Sequence, residues 1–402
     1  MSTISHLECA VCGQRVEAVR PQTTCARDGG MLLARYNLDA VRRSKTQRVP
    51  GGSSSMWRYA EVIPASASPV TLAEGRTPLL RSRTDAGLWI KNEGANPTGS
   101  LEDRGMSVAV SALRNYGLQN LAIASLGDSA TALAAYCAAA GLNARCFIPQ
   151  DAELAIRAEC SAHGAEVTLV DGTLEDCARA MHQATANQDC FALLDGGEPF
   201  RPEGEKTLAC EIVEQLGWRV PDAIIVATGS GTVIVAIWKA LQELGSLGLI
   251  DVKRPRLIAV QPAGCAPIAR AFAADSDDCE PWSDPTTVAS ELRVAAPRAG
   301  SVALKALRES HGLAVPVTDE EMLTACSQLA RAEGVFAAPE GGAAYAAYRN
   351  LRATGLLRQG EEVVVVNTRS GLKCPELFER DAHRGRKPLP RAHTLGGIIQ
   401  PY

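Results

Sequence analysis

The chain lacks any apolar run near the roughly 18 to 20 residues that cross a bilayer, and its N-terminus has no secretory hydrophobic region. Both absences point to a cytoplasmic protein with no membrane partner. There is no excess of positive charge either: 41 Lys and Arg against 45 Asp and Glu give a net charge of -4. That balance leaves no basic footprint for nucleic acid. Nor is there a disulfide-like spacing among most of the 13 cysteines. Beyond Cys12 they are scattered, as at Cys137, Cys146, Cys160, Cys177, Cys190 and Cys210, and they read as reduced, mostly buried thiols.

What remains is an ordinary globular composition, 46% hydrophobic and 21% charged over 402 residues, long enough for two lobes and an appendage. Cys9-Ala10-Val11-Cys12-Gly13 opens the chain, and Cys25-Ala26-Arg27-Asp28 follows. Two such knuckles form a tetrahedral zinc ribbon when closely spaced ligands point at one ion. The fourth position is Asp28 rather than a cysteine. Cys9, Cys12, Cys25 and Asp28 are therefore candidate zinc ligands, with His6 as a substitute for Asp28; the other reading is a vestigial ribbon without metal.

After the Gly51-Gly52-Ser53-Ser54-Ser55 linker, short apolar runs alternate with helical stretches. The expected strands are Leu88–Lys91, Leu121–Ser125, Ala144–Ile148, Glu166–Val170, Phe191–Asp195, Ala223–Thr228, Leu257–Gln261 and Glu362–Asn367. Expected helices include the alanine-rich Ser129–Ala140 and Gly204–Leu216. Continuously apolar strands between helices predict an α/β fold, a two-lobed open parallel sheet with right-handed crossovers. The expected divisions are a ribbon-like arm and linker over 1–50, an N-terminal lobe over 51–205, a C-terminal lobe over 206–378 and a basic extension over 379–402 carrying Arg384, Arg386, Lys387 and Arg391. Ligands in such folds bind beyond the carboxyl ends of the strands.

The run Ala223–Ala227 leads into Thr228-Gly229-Ser230-Gly231-Thr232 and then a helix. Glycines there let backbone N–H groups approach an anion, and the helix start adds roughly half a positive charge. A lone Gly-Ser-Gly turn is weak evidence. Here it is joined, in collinear order, by Glu74-Gly75-Arg76-Thr77-Pro78-Leu79, Asn96–Met106, Arg201–Trp218, Ala259–Ile268 and Glu333–Ala344. Together these resemble threonine synthase, from about Glu74 to Pro375. The resemblance implies fold type II of the pyridoxal-phosphate enzymes, the tryptophan synthase β-like fold. It also implies a homodimer and a lyase or synthase activity, elimination or replacement on amino acids.

Carried over position by position, the resemblance assigns Gly229, Ser230, Gly231 and Thr232 to the cofactor phosphate and Thr368 to the pyridine nitrogen. It assigns Ser125, Gly127 and Ser129 to the substrate carboxylate. Three positions depart from the pattern. Glu102, in Ser100-Leu101-Glu102-Asp103-Arg104-Gly105, stands where the family carries the lysine of the internal aldimine; Asp128 replaces an asparagine facing the phenolic oxygen; Arg369 replaces a glycine. Lys91, Lys206 and Lys373 also belong to the pattern beside the missing lysine, in structural or anion-binding roles.

A carboxylate cannot form an imine, and two carboxylates repel an anionic cofactor. Like charges about 4 Å apart cost about 4 kcal/mol at an effective dielectric near 20. The expectation is an amino-acid or phosphorylated amino-acid ligand, handled without a lysine aldimine, with pyridoxal phosphate held noncovalently or a preformed amino-acid aldimine as other forms of the ligand. Glu102 acts as general acid or base with a pKa raised by desolvation and Asp128, the two carboxylates dividing acid and base duties as the catalytic pair, and Arg104 and Arg369 help bind substrate. The alternatives are a catalytically silent ligand-binding protein and a conventional pyridoxal-phosphate enzyme using another lysine. Arg201 reads either as an anion ligand or as an ion-pair partner, Glu340-Gly341-Gly342 as a turn facing the ring, and His163, His182 and His311 as surface or packing residues.

Overall fold

A computed structural model of the chain describes residues 4–43, 55–64, 68–186, 188–251 and 253–383. The arm consists of β1 (Ile4–Cys9), β2 (Arg15–Val16), β3 (Leu32–Tyr36) and α1 (Leu38–Arg43). Its three strands form one antiparallel sheet in the order β2-β1-β3. Next come β4 (Leu79–Arg81), β5 (Leu88–Asn92), α2 (Glu102–Asn115), β6 (Asn120–Ala124), α3 (Asp128–Ala140), β7 (Asn143–Pro149), α4 (Leu154–Ala162), β8 (Glu166–Val170), α5 (Leu174–Thr185), β9 (Phe191–Leu193), α6 (Arg201–Glu205) and α7 (Thr207–Gln215). The chain continues through β10 (Ala223–Ala227), α8 (Thr232–Ser246), β11 (Arg256–Pro262), α9 (Pro267–Ala273), α10 (Gly300–Glu309), β12 (Leu313–Val317), α11 (Asp319–Glu333), α12 (Pro339–Ala353), β13 (Val363–Asn367) and α13 (Glu376–His383).

Two sheets organise these elements. A four-stranded parallel sheet runs β8-β7-β6-β9, and a six-stranded sheet runs β12-β11-β10-β13-β5-β4. Successive side chains of a strand point to opposite faces, and the larger sheet uses both. Ile224, Val226, Val364 and Val366 pack with apolar residues of α7, α8 and α10, whereas Ile225, Val363 and Val365 pack with those of α11 and α12. Burial on both faces explains the unbroken apolar runs of the central strands. In the smaller lobe, Leu121, Ile123, Cys146 and Ile148 form a core with Met106 and Leu113 of α2 and Leu133 of α3.

The lobes do not follow chain order. β5 pairs in parallel with β13, from Leu88 opposite Val363 to Asn92 opposite Asn367, so β4 and β5 lie in the sheet of the C-terminal lobe. The expected boundary of 51–205 for the first lobe is corrected accordingly. The larger sheet is also not wholly parallel, because β4 runs antiparallel to β5 at its edge. The single helix expected over Gly204–Leu216 is two, α6 and α7, separated at Lys206. Residues 384–402, including the four basic residues of the expected extension, lie outside the described residues, as do 51–54 of the linker.

The arm docks through Tyr36. Its hydroxyl donates to Glu203 Oε2 at 2.6 Å, and Lys206 and Lys239 lie over its ring at 4.2 and 4.9 Å. A contact to the smaller lobe comes from Tyr116, whose hydroxyl donates to the carbonyl of Ala18 at 2.7 Å.

Candidate active site

The carboxyl ends of β6 and β10 face a shared cavity between the lobes. It is lined from the smaller lobe by Glu102, Ser125, Asp128 and Ser129, and from the larger by Gly229 to Thr232, Thr368 and Arg369. Asp195, Arg201, Glu205, Glu291 and Glu340 complete its polar wall. Of the residues assigned in the sequence to the cofactor phosphate, the pyridine nitrogen, the substrate or the proton transfer, Gly127 and Arg104 are not on that wall.

At one end, β10 turns through Thr228–Gly231 into α8. Gly231 has φ +97, and a Cβ there would lie 3.0 Å from Ala303 Cβ, so both the left-handed backbone and the packing require glycine. A Cβ at 229 would lie 3.0 Å from the carbonyl oxygen of Glu291. Among the described residues no acceptor meets the N–H groups of Gly229, Ser230 and Gly231. Three open amides beside a helix N-terminus of 15 residues make a ready anion cradle.

At the other end, Glu102 begins α2. Its segment is fixed by strand-like contacts to the C-terminal turn: Leu101 N donates to Thr368 O at 2.9 Å and Ser370 N to Gly99 O at 2.9 Å. Glu102 Oε2 accepts from Ser129 Oγ at 2.6 Å and from Arg201 Nη2 at 2.7 Å, while its Oε1 has no described partner. The side chain keeps 24% of its surface exposed. Its pKa is raised, chiefly by desolvation; Arg201 and the Ser129 hydrogen bond oppose this, and Asp195 and Asp128 add to it. Asp195 acts more strongly than Asp128, which the sequence had suggested.

Asp128 and Arg369 form a buried pair, with Nε 3.0 Å from Oδ2. Arg369 also reaches Glu153 Oε1 at 3.0 Å and Glu340 Oε1 at 3.6 Å. Burial alone would lower its pKa, but these carboxylates and Glu291 hold it well above the usual arginine value. Glu291, which the sequence did not single out, places its carboxylate on the first turn of α3: Asp128 N donates to Oε1 at 2.9 Å. A Cβ at Gly127 would lie 2.8 Å from that oxygen. The Asp128 amide, within the loop assigned to a substrate carboxylate, thus already holds one from the protein.

Arg104 is corrected. It sits two positions after Glu102, about 200° around a helix of 3.6 residues per turn, and so faces away from the cavity. It is fully buried against Glu93 at 2.6 Å and Glu211 at 2.7 Å, a structural network rather than a substrate site. The lysines are committed as well. Lys91 Nζ meets Glu211 at 2.8 Å, Lys206 meets Glu203 at 2.6 Å and Glu243 at 2.7 Å, and Lys373 meets Glu159 at 3.0 Å and the carbonyl of Thr98 at 2.7 Å. No lysine is among the residues lining the cavity.

In the arm, ligand atoms of Cys9, Cys12, Cys25 and Asp28 all lie within 4.8 Å of one another. Val11 N and Cys12 N donate to Cys9 Sγ at 3.4 and 3.5 Å, and Arg27 N donates to Cys25 Sγ at 3.4 Å. His6 is outside this group: its Nδ1 meets Ser5 Oγ at 2.8 Å and its Nε2 faces Glu8 at 3.6 Å.

Residues 70–369 match the family of pyridoxal-phosphate dependent enzymes. The chain is 35% identical over 378 residues to a threonine synthase of Methanosarcina acetivorans, covering 92% of this chain and 93% of that one. It is 36% identical over 382 residues to a threonine synthase of Methanocaldococcus jannaschii, covering 92% and 94%. In fold it is similar to maize serine racemase, with a TM-score of 0.65 at 20% identity over 77% of this chain and 92% of that one. It is similar too to an L-serine ammonia-lyase from Rhizomucor miehei, with a TM-score of 0.67 at 19% identity over 77% and 98%. The chain belongs to the family of pyridoxal-phosphate dependent enzymes.

Proposed function

We propose that the protein is a threonine-synthase-like enzyme that binds a phosphate-bearing amino acid noncovalently and exchanges a proton with it through Glu102. The observation that carries this reading is one cavity with three open amides at the Gly229–Gly231 turn, a fixed carboxylate at Glu102 and no lysine on its wall. These residues do not fit a lysine-bound pyridoxal phosphate. Glu102 offers no amine with which an imine could form.

The phosphate end fits an anion by backbone donors alone, which suits any phosphate ester. Thr368 and Ser125 supply hydroxyls to the wall between the two ends. Glu102 is held in orientation through Oε2, leaving Oε1 for the ligand, and its raised pKa brings it toward the range in which a carboxylic acid both gives and takes a proton. Turnover of O-phosphoserine, O-phosphothreonine and O-phosphohomoserine by wild type and Glu102→Gln tests the reading. Loss of turnover with ligand binding retained is the expected result. Equal rates in the two proteins would remove Glu102 from the chemistry, and binding without turnover in wild type would make the protein a silent ligand binder.

We also infer that the arm holds zinc. Three sulfurs and one carboxylate oxygen in mutual reach match a closed four-ligand site, and the N–H donors to Cys9 and Cys25 stabilise thiolates. Gly30 N donates to Asp28 Oδ1 at 2.9 Å, which orients the fourth ligand.

A further inference from the structure

We propose that a groove on the seam between the lobes is the docking site for the chain's own C-terminal segment, with Leu389 seated in it and Arg386, Lys387 and Arg391 against its acidic wall. The proposal is independent of what the interlobe cavity binds.

The groove has a volume of about 210 Å³ and shares Leu126 with the wall of that cavity. Its apolar lining is Leu126 and Ala152 from the smaller lobe, Val288 from the larger, and Leu377 from α13. Two contacts hold the lobes together across it. Arg293 Nη1 and Nη2 donate to Asp151 Oδ2 and Oδ1 at 2.7 and 2.9 Å, and Ser290 Oγ donates to Glu153 Oε1 at 2.7 Å. The groove is therefore preformed. Leu154, next in the chain to Glu153, is 71% exposed, which adds apolar surface whose cover would be favourable.

Charge and reach decide what fits there. Asp151, Glu153 and Glu376 line the groove against Arg293 alone. Glu153 Oε2 is buried without a hydrogen-bond partner, and Glu376 is exposed with no ion pair among the described residues. An apolar side chain flanked by cations suits such a surface. Residues 384–402 carry Arg384, Arg386, Lys387 and Arg391 and no acid, and Arg386-Lys387-Pro388-Leu389-Pro390-Arg391 sets one leucine among the cations. The segment is also within reach. α13 starts in the groove wall, at Glu376 and Leu377, and ends at His383; its 8 residues span about 12 Å at 1.5 Å each. Leu389 can lie up to about 20 Å from His383 along an extended chain, enough to return along the helix to Leu377. A segment docked there touches both lobes and ties Ala152 to Val288 across the seam.

Photo-cross-linking in the full chain tests this. Leu389→p-benzoylphenylalanine is prepared in light and heavy isotope-labelled forms, which are mixed before irradiation and peptide mapping. Adducts are expected at Ala152, Val288 or Leu377, light to light and heavy to heavy only. Val288→Lys, checked for folding by circular dichroism, replaces an apolar contact with a like charge. Arg386→Glu combined with Lys387→Glu alters nothing in the described fold and decides the matter if Val288→Lys fails to fold. Each should lower the yield of groove adducts about tenfold. Adducts elsewhere, mixed light and heavy adducts from a second copy's segment, or no adduct overturns the proposal. So does an undiminished yield in the segment variant or in folded Val288→Lys.

Discussion

Arg369 and Asp128 are 241 positions apart in the chain and meet as a buried ion pair, Nε to Oδ2 at 3.0 Å. Each departs from the family pattern read in the sequence, and each would be a poor change alone: a bare carboxylate at the mouth of α3, or a bare guanidinium in a closed turn. Together they neutralise one another.

Removing one partner therefore leaves buried charge. Arg369→Gly should lower unfolding free energy by about 3 to 5 kcal/mol, because Asp128, Glu153 and Glu340 lose their shared cation. Adding Asp128→Asn should restore part of that loss. Urea denaturation of the two single variants and the double variant measures the coupling, and strictly additive losses would contradict it.

No lysine should be captured by the cofactor of the family. Incubation with pyridoxal phosphate, borohydride reduction and peptide mapping are expected to yield no pyridoxyl-lysine at Lys91, Lys206 or Lys373. Their amines are buried in ion pairs with Glu211, Glu203 and Glu159. A stoichiometric adduct at any of them would revive imine chemistry.

Stability should fall as pH rises from the ordinary carboxylate range toward neutrality. Desolvation raises Asp103, Glu198 and Glu340 each to about 7. Between the unfolded values and about 7 these groups are protonated in the fold and ionised when unfolded, so unfolding releases protons and a higher pH favours it. Glu211, lowered to about 2 by Arg104 and Lys91 against the desolvation of burial, acts only below that window. Melting temperatures recorded from pH 4.5 to 7.5 check the slope, and Glu340→Gln should flatten part of it. A melting temperature that climbs through this range would refute the assignment.

Chelation should expose the arm. Stripping zinc is expected to render the thiols of Cys9, Cys12 and Cys25 reactive toward a thiol reagent, with one zinc released per chain. Cys137, Cys146, Cys160 and Cys210 are buried in the lobes and should stay protected. Native mass spectrometry supplies the metal count, and a metal-free protein as isolated would refute the site.

Much of the architecture was legible because burial on both faces writes itself into composition. Ala223–Ala227 and Val363–Asn367 could hardly be anything but central strands. β12 was hidden by Pro316, which edge position tolerates, and the break at Lys206 carries no glycine or proline of its own. The return of β5 to β13 is a long-range pairing with no local signal. In the site, positions fixed by motif were readable, whereas Glu291 arrives from a 3-10 turn, Ser290–Leu292, that resembles no motif. Glu205 and Asp195 had one faint sign, a cluster with Glu198 and Glu203 giving four acids around Arg201. The misplacement of Arg104 was avoidable, since two steps along a helix turn a side chain away from its neighbour.

The Glu291 carboxylate on the α3 amide has a consequence for how any ligand enters. A carboxylate approaching that N–H does not fill a vacancy; it must evict an acceptor tethered to the same chain, whose local concentration dilution cannot lower. Capture at that position is thus an exchange of partners, and a ligand that leaves the amide alone escapes the competition altogether.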